Sequence, residues 1–103
     1  MEDVTTLIEQ RERVKVAVEK YLDKNAAQSG ISTLILDPEV RSHVIDIGTS
    51  VLLNLWGIGP SGGSFVRALV NNDLRESYGR ADHINQRAIM FYVLLMANQT
   101  YVY

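Results

Sequence analysis

Residues 37–56 read DPEVRSHVIDIGTSVLLNLW and decide the fold, because they form the most clearly bounded helix of the chain. Asp37 is a strong N-cap residue, Pro38 suits the first helical position, and Glu39 favours the positive end of the helix dipole. The apolar residues at helical spacing are Val40, Val44, Ile47, Val51, Leu52 and Leu55. Gly48 in mid-helix costs about 1 kcal/mol relative to alanine, which predicts the close approach of another helix.

Helical periodicity continues on both sides of this segment. Residues 3–24 carry apolar side chains three and four positions apart between charges, which predicts an amphipathic helix of about six turns. Near the other end, Asp82 is a candidate N-cap for a helix over residues 84–99. The middle of that helix is apolar all round, so we expect it to be central in the fold.

A further helix is predicted after a glycine-rich loop, with Ser61 or Ser64 as its cap and its end at Gly79. The apolar run at residues 31–36 is either a strand that pairs with another subunit or irregular packing. The sequence therefore predicts an all-α fold, a compact bundle of about four helices. We expect one domain over residues 1–103, with the glycine-rich loop between helices 2 and 3.

Composition excludes several classes of function. The chain has 103 residues, 47% of them hydrophobic, which suffices for one domain core. It has no cysteine, so disulfides, thiolate metal sites and a cysteine nucleophile are excluded. A formal charge of −2 predicts no general nucleic-acid binding. The longest apolar run, residues 88–97, is shorter than the roughly 20 residues that span a bilayer, and the acidic start is unlike a signal peptide. We therefore expect a cytoplasmic protein with no membrane partner.

No catalytic residues are predicted. The only histidines, His43 and His83, are far apart in the sequence and belong to no metal-binding motif, and no serine lies in a nucleophile elbow. We expect neither a metal nor a cofactor, and we expect a protein that is not an enzyme.

The glycine-rich loop reads GIGPSGG at residues 57–63 and precedes a predicted helix. A helix N-terminus presents unpaired backbone donors, and glycines allow a phosphate to approach them. Residues 60–64 fit this pattern but lack the lysine and the spacing of a P-loop. The alternative is a flexible helix connection whose glycines adopt positive φ angles.

All basic residues after position 57 are arginines, which bind phosphates with a planar, forked set of donors. Arg67, Asn71 and Arg75 are spaced four apart and would lie along one side of a continuous helix. The alternative is that Arg75 and Arg80 form surface salt bridges with neighbouring acids. The candidate ligand-binding residues are Ser61, Gly62, Gly63, Ser64, Arg67, Asn72, Arg75, Arg80 and Asn85.

Residues 62–85 resemble a group of short, mostly uncharacterised bacterial and bacteriophage proteins. The shared features are a glycine pair before a helix, an Asn-Asp-Leu within that helix, and an Arg-Ala-Asp with a following asparagine. Many members end in a Trp-Gly-Ser segment, which this chain lacks. The resemblance implies a phage origin and one shared site. Its members would be Gly62, Gly63, Asn72, Asp73, Arg80, Asp82 and Asn85.

These features favour a phage-type binding protein that sequesters a phosphate-bearing small molecule, with a nucleotide immune signal as the candidate ligand and an anti-defence role. The alternatives are a helical inhibitor or adaptor that binds a host protein, and a virion assembly component. We also expect a homo-oligomer, because four short helices carry more apolar surface than one subunit of this size hides. The first helix or the tyrosine-rich C-terminal end, residues 100–103, would form the contact.

Overall fold

The computed structural model describes residues 4–58 and 62–99, with side chains from Leu7 onwards. Its elements are α1 (Val4–Asn25), a short 3₁₀ helix (Leu34–Leu36), α2 (Pro38–Trp56), α3 (Ser64–Val70), α4 (Leu74–Arg80) and α5 (His83–Ala97). The predicted all-α class is confirmed, although the described residues form five α-helices where about four were expected. Ser61, the centre of the glycine-rich loop and the C-terminal residues 100–103 lie outside the described residues.

Helix α2 begins and ends as its sequence predicts. The Oδ1 atom of Asp37 accepts from the backbone N–H of Glu39 at 2.9 Å, and Pro38 occupies the first turn. At the other end, Gly57 adopts a left-handed conformation with φ 70°. Its backbone N–H bonds the carbonyl of Asn54, which satisfies one of the carbonyls left free at the helix end.

The core lies where α1, α2 and α5 meet around Gly48. A Cβ atom at Gly48 would lie 3.0 Å from Val18 Cγ1 on α1 and 3.2 Å from Leu95 Cδ2 on α5. The predicted close approach is therefore confirmed, and it involves two helices. The large side chains that are fully buried in this core include Leu22, Leu52, Phe91, Tyr92 and Leu95.

Of the two alternatives for residues 31–36, the strand is wrong and irregular packing is confirmed, because these residues form a turn followed by the 3₁₀ helix, with Ile31 buried in the core. Two predicted features of the next segment are wrong. The predicted third helix is interrupted at residues 71–73 and becomes α3 and α4. Ser64 does not cap α3, because Gly63 is the N-cap and no side chain accepts a hydrogen bond there.

Helix α5 begins as predicted, since Oδ1 of Asp82 accepts from the backbone N–H of Asn85 at 2.7 Å. Helix α5 contributes Phe91 and Leu95 to the core, as its expected central position requires. Its opposite face is not covered, however, since Met90 is 56% exposed and Val93 is 41% exposed. None of the described helices is both long and apolar enough to cross a bilayer.

Candidate functional site

The candidate site is an open hollow of about 360 Å³ between α3 and α4. Its lining residues are Ser64, Arg67, Ala68, Asn71, Asp73, Glu76 and Arg80. The set combines two guanidinium groups, two carboxylates and two neutral polar side chains. It is therefore hydrogen-bond-rich and close to electrically neutral.

The hollow exists because the chain breaks its helix at residues 71–73. Asn72 adopts a left-handed backbone with φ 61°, a conformation that asparagine tolerates better than most residues. Asp73 then starts the next helix, because its Oδ1 accepts from the backbone N–H of Glu76 at 3.1 Å. The backbone N–H of Asp73 also donates to the carbonyl of Ala68 at 3.0 Å and holds the turn against α3.

This break separates the predicted row of Arg67, Asn71 and Arg75. Arg67 and Asn71 line the hollow, whereas Arg75 is exposed and is not one of its lining residues. The predicted row requires a continuous helix, and it is wrong because Asp73 is an N-cap that starts a separate helix.

The two arginines of the hollow differ in their pairing. Arg80 donates from Nε to Oε1 of Glu76 at 2.6 Å, and both side chains are about half exposed. Arg67 is exposed and forms no ion pair with any of the described residues. The free guanidinium of Arg67 is therefore the group of this hollow that is most open to an incoming anion.

The glycines before α3 have separate roles. A Cβ atom on Gly62 would lie 2.8 Å from Cβ of Val66. The absence of a side chain at Gly62 therefore allows the segment before α3 to pack against the first turns of that helix. Gly63 has open space around its Cα and an ordinary extended backbone, with φ −67° and ψ −175°. The packing explanation for Gly62 therefore competes with its predicted role in binding a phosphate.

Two predicted polar residues lie apart from the hollow. Asn72 is exposed in the turn. Asn85 is buried, and its Oδ1 accepts from the hydroxyl of Tyr92 at 2.7 Å. Burial, with a smaller contribution from the Asp82 carboxylate, raises the pKa of that hydroxyl above its ordinary value, so it remains a donor. The Asn85 side chain is thus buried in the core and does not line the hollow.

A polar contact that the sequence does not predict joins His43 and Asp82. His43 Nε2 on α2 lies 3.1 Å from Oδ2 of Asp82, without hydrogen-bond alignment. The contact links α2 to the N-terminus of α5, and the two residues are too far apart in the sequence for spacing to reveal it. Among the described residues, no group of three or more histidine and carboxylate side chains is arranged to hold a metal.

Comparison with protein-family models, curated proteins and solved structures finds no match.

Proposed function

We propose that this protein binds a phosphate-bearing small molecule in the hollow between α3 and α4 and acts by sequestering it. The observation that carries the proposal is the Arg67 guanidinium, which has no ion-pair partner in the described part of the chain and shares one hollow with Arg80. Ser64 and Asn71 add neutral donors on the α3 side. Forked guanidinium donors beside neutral hydrogen-bonding groups suit phosphate oxygens.

The carboxylates of the hollow do not oppose this proposal strongly. Asp73 is already engaged as the cap of α4. Glu76 pairs with Arg80 four residues along an exposed helix surface, and such pairs contribute only about 0.3–0.5 kcal/mol. A phosphate group can therefore displace Glu76 from Arg80 at small cost and gain a stronger, charge-assisted pair.

The size of the hollow is compatible with a small-molecule ligand. Its volume of about 360 Å³ lies at the lower end of the range typical of small-molecule sites. A nucleotide immune signal remains the candidate ligand, with an anti-defence role that rests on the resemblance to phage proteins. The resemblance and the volume support the ligand class and do not identify one compound.

Calorimetric titration with a panel of linear and cyclic nucleotides tests the proposal. We expect micromolar binding by the wild type and a loss of affinity of about tenfold or more in Arg67→Ala, which removes one charge-assisted pair. Glu76→Gln should tighten binding, because it removes the carboxylate that competes for Arg80.

Arg13→Ala is the matched control, since Arg13 is an exposed arginine of α1 without an ion pair among the described residues. It should bind like the wild type. Silence across the whole panel, or equal affinity in Arg67→Ala, would contradict the proposal.

A second candidate function is binding to a host protein through α4. Leu74 is 65% exposed and Tyr78 is 55% exposed, and they lie one turn apart on the same side of the helix. Such a pair can anchor in an apolar groove of a partner. A photo-crosslinker at position 74 would test this function. Binding through α4 predicts one dominant adduct with a host protein, which Tyr78→Glu abolishes. It also predicts no heat of binding in the nucleotide titrations.

A further inference from the structure

The outer face of α5 carries a stripe of uncharged side chains. We define it by Gln86, Met90, Val93 and Ala97, which are spaced four, three and four residues apart. Met90, Val93 and Ala97 are exposed, whereas Gln86 is half-buried and its Nε2 donates to the carbonyl of Tyr78 at 3.2 Å. Met90 and Val93 in its centre are 56% and 41% exposed. Intervals of four and three residues keep these side chains on one side of the helix, as in the contact seam between two packed helices.

We infer that the outer face of α5 binds the same face of a second copy of this chain, with the two helices antiparallel. The spacing of four, three and four residues is the same in both directions. Turning one copy around therefore places Met90 opposite Val93 of the partner subunit, and Gln86 opposite Ala97 of the partner subunit. The long side chain of Gln86 then lies opposite the short side chain of Ala97, and each contact occurs twice, as in a self-complementary interface.

Charge favours this pairing over a parallel one. Residues 83–103 contain no aspartate or glutamate, and Arg87 is exposed at the edge of the stripe without an ion pair among the described residues. In a parallel pair, the two Arg87 side chains would lie side by side and repel each other. In the antiparallel pair, each lies near the C-terminal turn of the other α5, where the helix dipole is negative.

The same arrangement favours a second copy over an unrelated partner. When α5 meets a second α5 in reverse, the cation at one end and the negative dipole at the other end complement each other twice. The small formal charge of −2 per chain opposes self-association only weakly. The proposed interface involves none of the residues that line the hollow, so it does not depend on the proposed ligand.

The absence of cysteine in the natural chain makes crosslinking a clean test. Met90→Cys and Val93→Cys chains are mixed in equal amounts and oxidised. The antiparallel geometry predicts that the mixed 90–93 disulfide dominates over 90–90 and 93–93. Val16→Cys, at a position of α1 that is 51% exposed, is the control and should crosslink only at background level.

Sedimentation equilibrium provides the second measurement. The wild type should form a dimer, and Met90→Glu should raise the dimer dissociation constant by about tenfold or more, because it buries a charge in an apolar contact. Val16→Glu should leave the constant unchanged, and circular dichroism checks that each variant is folded. Two results overturn the inference. One is a wild-type chain that stays monomeric at about 100 μM, a concentration above typical dimer dissociation constants. The other is a predominance of 90–90 and 93–93 disulfides.

Discussion

The core around Gly48 and the pair α3–α4 are built on different principles. Around Gly48, three long helices meet at van der Waals distance, and the side chains of Phe91 and Leu95 are fully buried. The pair α3–α4 consists of two helices of seven residues each, joined by a left-handed Asn72 and bounded by an open polar hollow. The difference teaches that burial specifies the first region, whereas caps and turn chemistry specify the second, which leaves polar groups available for a ligand.

The largest effect is expected for Phe91→Ala in the core. Removal of a fully buried aromatic ring should lower the free energy of unfolding by about 3–5 kcal/mol, through lost apolar burial and the cavity left behind. Chemical denaturation measures it. Val16→Ala, which truncates a half-exposed residue of α1, should change stability by less than about 0.5 kcal/mol. Similar losses in both variants would mean that the core does not lie where the structure places it.

The same substitution at two glycines compares the regions directly. Gly48→Ser forces a side chain against Val18 and Leu95, and this overpacking should cost about 1–3 kcal/mol. The side chain in Gly63→Ser meets open space at the N-cap of α3, where its hydroxyl can accept a hydrogen bond from a backbone N–H. The free energy of unfolding should therefore rise by roughly a few tenths of a kcal/mol. Thermal unfolding of the two variants measures both changes. A destabilised Gly63→Ser variant would contradict the cap assignment.

Tyr92→Phe tests the buried hydrogen bond between the core and the predicted site residue Asn85. Loss of the donor leaves Oδ1 of Asn85 without its partner, which should cost about 1–2 kcal/mol at neutral pH. Urea unfolding at pH 7 measures it. An unchanged stability would mean that Asn85 is not committed to Tyr92.

The pH dependence of the same variant fixes the cause. The tyrosine ordinarily has a pKa of 10.0, and burial raises the pKa in the folded state. Above pH 10 the unfolded wild type therefore loses this proton while the folded state keeps it, so the wild type loses stability relative to Tyr92→Phe by up to about 1.4 kcal/mol per pH unit. Parallel stability curves for the two proteins above pH 10 would contradict burial of the hydroxyl.

The smallest effect is expected in the hollow. Glu76→Ala removes an exposed ion pair with Arg80 and should change the free energy of unfolding by less than about 0.5 kcal/mol. Guanidinium denaturation with closely matched controls can measure a change of this size. A loss of 2 kcal/mol, of about the size typical of buried networks, would show that the pair holds α4 in place and is not available to a ligand.

Local signals predicted α2 and the start of α5 well, because Asp37 and Asp82 are caps whose effect depends only on the next few residues. Gly48 predicted the helix contact well, because a glycine inside an apolar helix has few explanations other than the close packing of a neighbouring helix. The interruption after α3 was not predicted, because apolar residues continue at helical spacing across Asn72. This spacing favours one continuous helix, whereas Asp73 as an N-cap favours a new start.

The site was predicted less well than the fold. Arg67, Arg80 and Ser64 line one hollow. Arg75 lies outside it because the helix breaks before it, and Asn85 lies outside it because it is hydrogen-bonded to Tyr92. Spacing along a chain cannot predict such outcomes, because they depend on which helices cross. The contact between His43 and Asp82 was missed for the same reason.

The most direct test of the account is a ¹⁵N–¹H NMR titration of the wild-type chain with inorganic pyrophosphate, a probe of phosphate binding without a base or sugar. We predict shifts concentrated in residues 62–80, with the side-chain Nε–H signals of Arg67 and Arg80 moving together, and clearly weaker binding in the same titration of Arg67→Ala. Shifts spread evenly over the exposed cations of α1, or identical titrations of the two proteins, would contradict an anion site between α3 and α4.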